Sequence, residues 1–293
     1  MSFMARDRIY WPGGKTKCLT FSYDDGVEQD LRLTEVMRAH GVRGTFNLNP
    51  GLFGRNGRVT GGKREVAHNK LSAERVPEVY RGQEIAAHGW EHAAMSGMDT
   101  ARCVNEILKS RAALEELLRQ PVTGYAYAFG TNDDTIVKAA QASGLRYART
   151  VVSTERFDIP QDFLRWDPTC HHNAEKLFEL AEEFLSDKSY FSFFSPAKLF
   201  YIWGHAYEFD QDDNWKRMEK LLELLGGRDD VWYATNGEIE SYVAAWKSLI
   251  FSADSSSVQN PSATPVWLGS SFDRETVCVG AGETVRLLSK KEM

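Results

Sequence analysis

Short apolar runs and segments of helical periodicity take turns from Lys17 to Phe251. A chain written this way builds a mainly parallel sheet or barrel wrapped in helices, because each strand returns to its starting end through a crossover. Residues 17–22 are the first run. Leu33, Val36, Met37 and His40 then recur at helical spacing, and Gly41 stops that helix before the run VRGTFNL. Next come strand 82–87 and a long helix through Val104, Ile107, Leu108, Leu114, Leu117 and Leu118, closed by Pro121. Strands 124–129, 145–150, 198–203 and 231–235 follow, paired with helices 134–143, 174–185, 213–225 and 238–251. That gives about seven βα units, and no Gly-rich phosphate fingerprint follows the first strand. The expected fold is α/β: a distorted parallel (β/α) barrel rather than an open doubly wound sheet.

Past Phe251 the pattern changes. SADSSSVQNPSATP is polar and turn-rich, and β-like runs follow at 266–268, 277–279 and 284–288. The expected division is a barrel over residues 1–251 and a linker with a small β-rich C-terminal appendage over 252–293. A length of 293 residues suits one barrel-sized domain, and 42% apolar with 26% charged residues is a globular balance.

A net charge of −6 without any block of Lys or Arg offers no footprint for nucleic acid or an anionic membrane. The opening MSFMARDRIYWPGGK lacks the apolar core of a secretory signal, and no apolar run reaches the roughly 18 residues a spanning helix needs. Cys18, Cys103, Cys170 and Cys278 lie far apart with no CxxC spacing. A reduced, cytoplasmic protein is the expectation.

The chemistry gathers where strands end. FSYDDG puts Asp24 and Asp25 side by side at the mouth of the first strand, with Gly26 to turn the chain. One aspartate there is as readily a helix cap; two adjacent ones repel and call for a cation or a shared proton. HGWEH places His88 and His92 four apart, directly after strand 82–87. On one face of a helical turn both imidazoles can reach one metal, and Asp25 from a neighbouring loop would leave coordination positions open, as catalytic sites do. His205 in FYIWGHAYEFD follows another apolar strand and is the best candidate for a general acid. His171 and His172 read as a loop pair, His40 and His68 as structural, and 56–70 as a surface loop. Tyr125, Tyr127, Phe129, Trp166, Trp203 and Tyr207 fall near strand ends, where they suit stacking on a sugar ring and equally suit plugging a barrel.

In this order FSYDDG, HGWEH, AYAFG, RWDPTC and IWGHAYEF resemble the motifs of the NodB-type polysaccharide deacetylases, over roughly residues 17–242. The resemblance implies a distorted (β/α) barrel that removes acetyl groups from N- or O-acetylated saccharides with one divalent metal, zinc first, cobalt or nickel next. It implies Asp24 as general base; Asp25, His88 and His92 as metal ligands; and His205 as general acid, oriented by Asp167. Phe129, through its main-chain N–H, would serve the oxyanion, with Tyr127 and Trp203 on the substrate side. Three departures accompany it. Gly89 replaces the hydroxyl residue that braces the histidine loop. AYAFG lacks the arginine that pairs with the base, a role open to Arg146, Arg149 or Arg165. Gly204 stands where a leucine shapes the acyl pocket, which implies a wider or differently shaped pocket. The implied partner is an acetylated saccharide or a small amide. The rival readings are a C–N hydrolase for a cyclic imide or small amide, and a carbohydrate-binding relative without catalysis.

Overall fold

The structure is a computed structural model that describes residues 8–186, 197–269 and 275–287. Residues 1–7 of the opening segment, and Leu288 at the end of the last tail run, lie outside the described residues.

Eight strands form one sheet, paired in parallel throughout. In chain order they are β1 (Lys17–Asp24), β2 (Thr45–Leu48), β3 (Glu84–Ala87), β4 (Gly124–Ala126), β5 (Tyr147–Arg149), β6 (Cys170–His171), β7 (Lys198–His205) and β8 (Val231–Tyr233). Their spatial order is β5-β4-β3-β2-β1-β7-β6, with β8 beside the first half of β1. The helices are α1 (Asp30–Ala39), α2 (Thr100–Leu118), α3 (Asp134–Ala142), α4 (Leu177–Leu185), α5 (Trp215–Leu225) and α6 (Asn236–Lys247). The expected distorted barrel is what forms. Its irregular side is the stretch after β5, where Trp166 bridges Arg149 in parallel and β6 then pairs with β7. The two-residue β6 is the strand that the sequence pattern does not announce.

Period-two alternation in β1 sorts its side chains between two environments. Leu19, Phe21 and Tyr23 pack in the helix-facing core with Leu33, Met37, Met218 and Leu222. Thr20, Ser22 and Asp24 point to the other face, the barrel interior, whose polar side chains are joined by hydrogen bonds. Thr20 Oγ1 donates to Asn236 Oδ1 (2.9 Å), Asn236 Nδ2 to the Tyr201 hydroxyl (2.6 Å), and Thr45 Oγ1 and the Tyr147 hydroxyl to Glu84 (both 2.8 Å). Buried polar groups are tolerable only when satisfied in this way. Here they hold the start of α6, itself fixed by a Thr235–Glu238 capping box, against the interior.

Several expected boundaries move, and two of the moves place chemistry. β1 runs on to Asp24 because Asp24 still registers with Asn47 and His205 in the neighbouring strands. β4 stops at Ala126, since Phe129 (φ 58°) and Gly130 (φ 72°) turn the chain through left-handed backbone. The helix expected over 238–251 ends at Lys247, and Ile250–Phe251 instead pairs antiparallel with Ser257–Gln259. Ser257–Gln259 pairs in turn with Thr284–Arg286, while Val266–Gly269 lies between Arg8–Tyr10 and Thr276–Val279. Tyr242 of α6 ties these strands to the barrel: its hydroxyl donates to Tyr10 O and accepts from Trp267 N (2.9 Å).

Candidate active site

Asp25 leaves β1 with φ 86°, a strained value for an aspartate, and is held there by its N–H on Asn47 O (3.0 Å). The turn brings its carboxylate toward the loop after β3. There His88 and His92 lie in the loop that opens after the strand, as their place in the sequence implies, and left-handed backbone at Gly89 (φ 80°) and His92 (φ 58°) folds that loop back. The rings meet edge to face, 4.7 Å between centroids. One donor atom from each of Asp25, His88 and His92 lies within 4.8 Å of the others.

This donor set fits a divalent ion. His88 gives its Nδ1–H to Ala126 O (2.7 Å), which leaves Nε2 bare, buried and without a hydrogen-bond partner. That is the tautomer a metal-binding histidine adopts. Burial lowers the pKa of His88 and pushes His92 down to about 4, so both rings are neutral with lone pairs to offer. Burial would raise the Asp25 pKa, but a hydrogen bond from His68 and the charge of Lys70 outweigh it and hold Asp25 well below the usual carboxylate range. His68 Nε2 is 3.2 Å from Oδ2, and Lys70 Nζ is 2.9 Å from Oδ1.

His68 and Lys70 come from the segment read as a surface loop. It is a hairpin (Arg58–Val59 with Val66–Ala67) tied to the far side of the mouth by Gln211 Nε2 on Gly61 O (3.1 Å) and Lys63 Nζ on Asp212 O (3.1 Å). The brace missing at Gly89 is supplied by Glu106 of α2, whose Oε1 accepts from the N–H groups of Trp90 (2.8 Å) and Glu91 (3.2 Å).

Asp24 ends the inward stripe of β1 and is buried. Its Oδ1 accepts from Asn47 Nδ2 (2.8 Å), and its Oδ2 is in contact with Arg149 Nη2. Of the three arginines that could replace the absent one, Arg149 holds the position: it is fully buried, ends β5, and lies over the Trp203 ring at 4.4 Å. Burial would raise the Asp24 pKa; Arg149, then His88 and His205, outweigh it and lower it, so the group is an anion able to accept a proton. His205 Nε2 stands 3.9 Å from Asp24 Oδ2, and His88 Nε2 3.7 Å.

The remaining expected residues divide. Trp203 and Phe129 are at the mouth: Trp203 packs on His205 at 5.8 Å, and the 65% exposed Phe129 covers His92 at 4.6 Å. Tyr127 is buried with its hydroxyl committed to Leu164 O (2.9 Å), so it does not face the centre. Asp167 is exposed, accepts from Thr150 Oγ1, and lines a separate crevice of about 680 Å³ beside Trp166 and Tyr201. That crevice is larger than the opening at the mouth but includes none of Asp24, Asp25, His88, His92 and His205. The carboxylate beside His205 is Glu208, which sequence reasoning missed. Its Oε1 lies 3.3 Å from Nδ1, and its Oε2 accepts the His205 N–H (3.0 Å). The signal for it was in the quoted string, three residues on.

Nor does Gly204 widen the site. A Cβ there would fall 2.2 Å from His172 Nδ1, so the His172 ring already fills the space on that side. Gly204→Ala is expected to lower stability by about 1–3 kcal/mol through overpacking, read as a fall in thermal midpoint; an unchanged midpoint would mean that His172 moves aside freely. The opening itself, about 360 Å³ between the hairpin, Asp25, His92 and Tyr207, is of ligand-pocket size.

Residues 12–148 match the family profile described as Polysaccharide deacetylase. A Mycobacterium smegmatis protein assigned to the polysaccharide deacetylases superposes with TM-score 0.53 at 18% identity, over 82% of this chain and 94% of that one. The Xyl-CE4 domain of a multidomain xylanase from the hindgut metagenome of Trinervitermes trinervoides gives 0.50 at 14%, over 78% and 92%. The superposition on the Streptococcus pyogenes deacetylase PplD reaches a TM-score of 0.40 at 18% identity, over 45% of this chain and 55% of that one. The matched segment carries both FSYDDG and HGWEH, so residues 12–148 are similar to the polysaccharide deacetylases, on a barrel whose fold those solved structures share.

Proposed function

We propose that the chain removes acetyl groups from saccharides with one divalent ion, zinc by its donor set, held by Asp25, His88 and His92. The observation that carries this reading is the bare, buried Nε2 of His88, turned to the same space as the Asp25 carboxylate and His92. The ion would polarise the acyl carbonyl and acidify a water molecule. Asp24, ionised and separate from the ligand set, accepts that water's proton during attack. Asn47 and Arg149 keep its carboxylate aimed at the mouth. His205 returns a proton to the departing nitrogen or oxygen: burial opposes its charge, but Glu208 and Asp24 outweigh burial and raise its pKa, which favours the protonated ring. A main-chain N–H of the turn at Phe129 would share the developing oxyanion charge.

The test is released acetate from a panel of N- and O-acetylated mono- and oligosaccharides and small amides, with and without chelator. Acetate from saccharides that disappears with chelator is the expected result. Release from small amides alone would shift the reading to a C–N hydrolase. No reaction anywhere in the panel would leave a binding protein.

A further inference from the structure

His205 has a proton to deliver but is the last residue of β7, so strand pairing alone does not fix the direction of its ring. The usual remedy is a carboxylate on the other ring nitrogen. We propose that Glu208, fixed by His171 and His172, is the positioning residue that locks His205 with Nε2 turned to the reacting centre. This rests on the deacetylase reading above, and it adds a positioning role for Glu208 and assigns one to His171 and His172, which that reading leaves unused.

Glu208 meets His205 at two points: its Oε2 accepts the residue's own N–H, and its Oε1 stands 3.3 Å from the ring Nδ1, close enough to pair with it though not aligned as a hydrogen bond. A carboxylate that holds both the main chain and the ring of one residue fixes that ring's direction. Glu208 is itself held. His171 Nε2 lies 3.1 Å and His172 Nε2 3.2 Å from its Oε2. β6 ends on His171, in register with Trp203, and the following His172 N–H donates to Trp203 O (2.8 Å).

His171 and His172 with Glu208 also have the composition of a metal triad. Protonation argues otherwise. His171 Nδ1 accepts the Asn173 N–H (3.1 Å), so the ring proton sits on Nε2 and points at Glu208, where a metal would need a lone pair. His172 is 1% exposed, stacked on Phe209 (4.3 Å) and Tyr23 (5.6 Å), and wedged against Gly204, so it is a wall of the cluster rather than a mobile ring.

The other groups around His205 are consistent with this assignment. Asp24 of β1 faces Nε2, Trp203 and Tyr207 pack on the ring at 5.8 and 5.1 Å, and His171 is 6.4 Å away. An anionic Glu208 favours Nδ1–H, which leaves Nε2 to carry the proton that is donated. Burial would raise the Glu208 pKa, but hydrogen bonds from His171, His172 and His205 hold it well below the usual carboxylate range.

The experiment compares zinc-loaded wild type, Glu208→Gln, Glu208→Asp and His171→Asn on two substrates that the wild type turns over. One is the best acetylated saccharide, whose leaving group needs a proton. The other is para-nitrophenyl acetate, whose leaving group does not. Expected for Glu208→Gln is a fall in kcat of about 10²-fold on the saccharide with KM nearly unchanged, and a fall below about 3-fold on the aryl ester. Glu208→Asp should recover part of the loss, and His171→Asn should show a smaller loss with the same bias if the glutamine variant does not fold. Histidine-labelled NMR adds a readout besides activity: a His205 Nδ1 proton in wild type, lost in Glu208→Gln. Equal loss on both substrates, no loss on either, or a second zinc per chain that vanishes with Glu208→Gln would each overturn the assignment. Wild-type protein that releases no acetate from any substrate would instead sink the deacetylase reading itself.

Discussion

An Asp24→Asn variant is expected to lose about 10²–10⁴-fold in kcat while still binding its metal, because the amide occupies the same space but cannot accept the proton. The same change strands the buried Arg149 charge, whose carboxylate partner among the described residues is Asp24 Oδ2. Breaking one side of a buried pair costs about 3–5 kcal/mol, with the low end expected here since the amide oxygen still accepts a hydrogen bond. Activity is therefore to be measured well below the variant's own thermal midpoint. Adding Arg149→Met to Asp24→Asn should restore part of the lost stability without restoring turnover. Full activity in Asp24→Asn would remove Asp24 from the base role. A double variant less stable than Asp24→Asn would show that Arg149 matters to the fold for reasons other than Asp24.

His88→Ala should have the largest effect on metal binding. It removes the proposed ligand whose ring is buried in the barrel wall and held by the Ala126 carbonyl. His68 makes a useful contrast, since it touches the Asp25 carboxylate from outside the ligand set. His68→Asn should weaken zinc binding by about 10–100-fold, as loss of an orienting partner does, and His88→Ala by more. Calorimetric titration of the metal-free proteins measures both. Equal affinities across wild type and the two variants would place the metal elsewhere.

What the sequence made legible was whatever lies within one short string. Asp24 and Asp25, His88 and His92, and His205 stand at strand ends because the βα pattern fixes where each strand opens. The partners of these residues were not legible, because they arrive from remote elements through barrel closure. Arg149 reaches Asp24 across 125 positions, Lys70 reaches Asp25 across 45, and Glu106 braces Trp90 across 16. Nothing local distinguishes Arg149 from Arg146 or Arg165; what separates them is alternation along β5 and the sheet order that turns Arg149 inward. Asp167 was mistaken for a different reason. It follows Trp166, which bridges Arg149, but faces outward to Thr150, and the acid that meets His205 is a near neighbour on the short helix Tyr207–Gln211. The tail illustrates the limit of composition: the turn-rich stretch 252–265, read as linker, itself supplies Ser257–Gln259, the antiparallel partner of Ile250–Phe251.

The central claim is that Asp25, His88 and His92 hold one divalent ion on which deacetylation depends. Zinc titrated into chelator-stripped protein, with acetate release followed at each addition, tests it directly. Activity should rise from none to a plateau at one zinc per chain, and Asp25→Ala should show neither the binding nor the rise. Full turnover in stripped protein, or an Asp25→Ala variant indistinguishable from wild type, would contradict it.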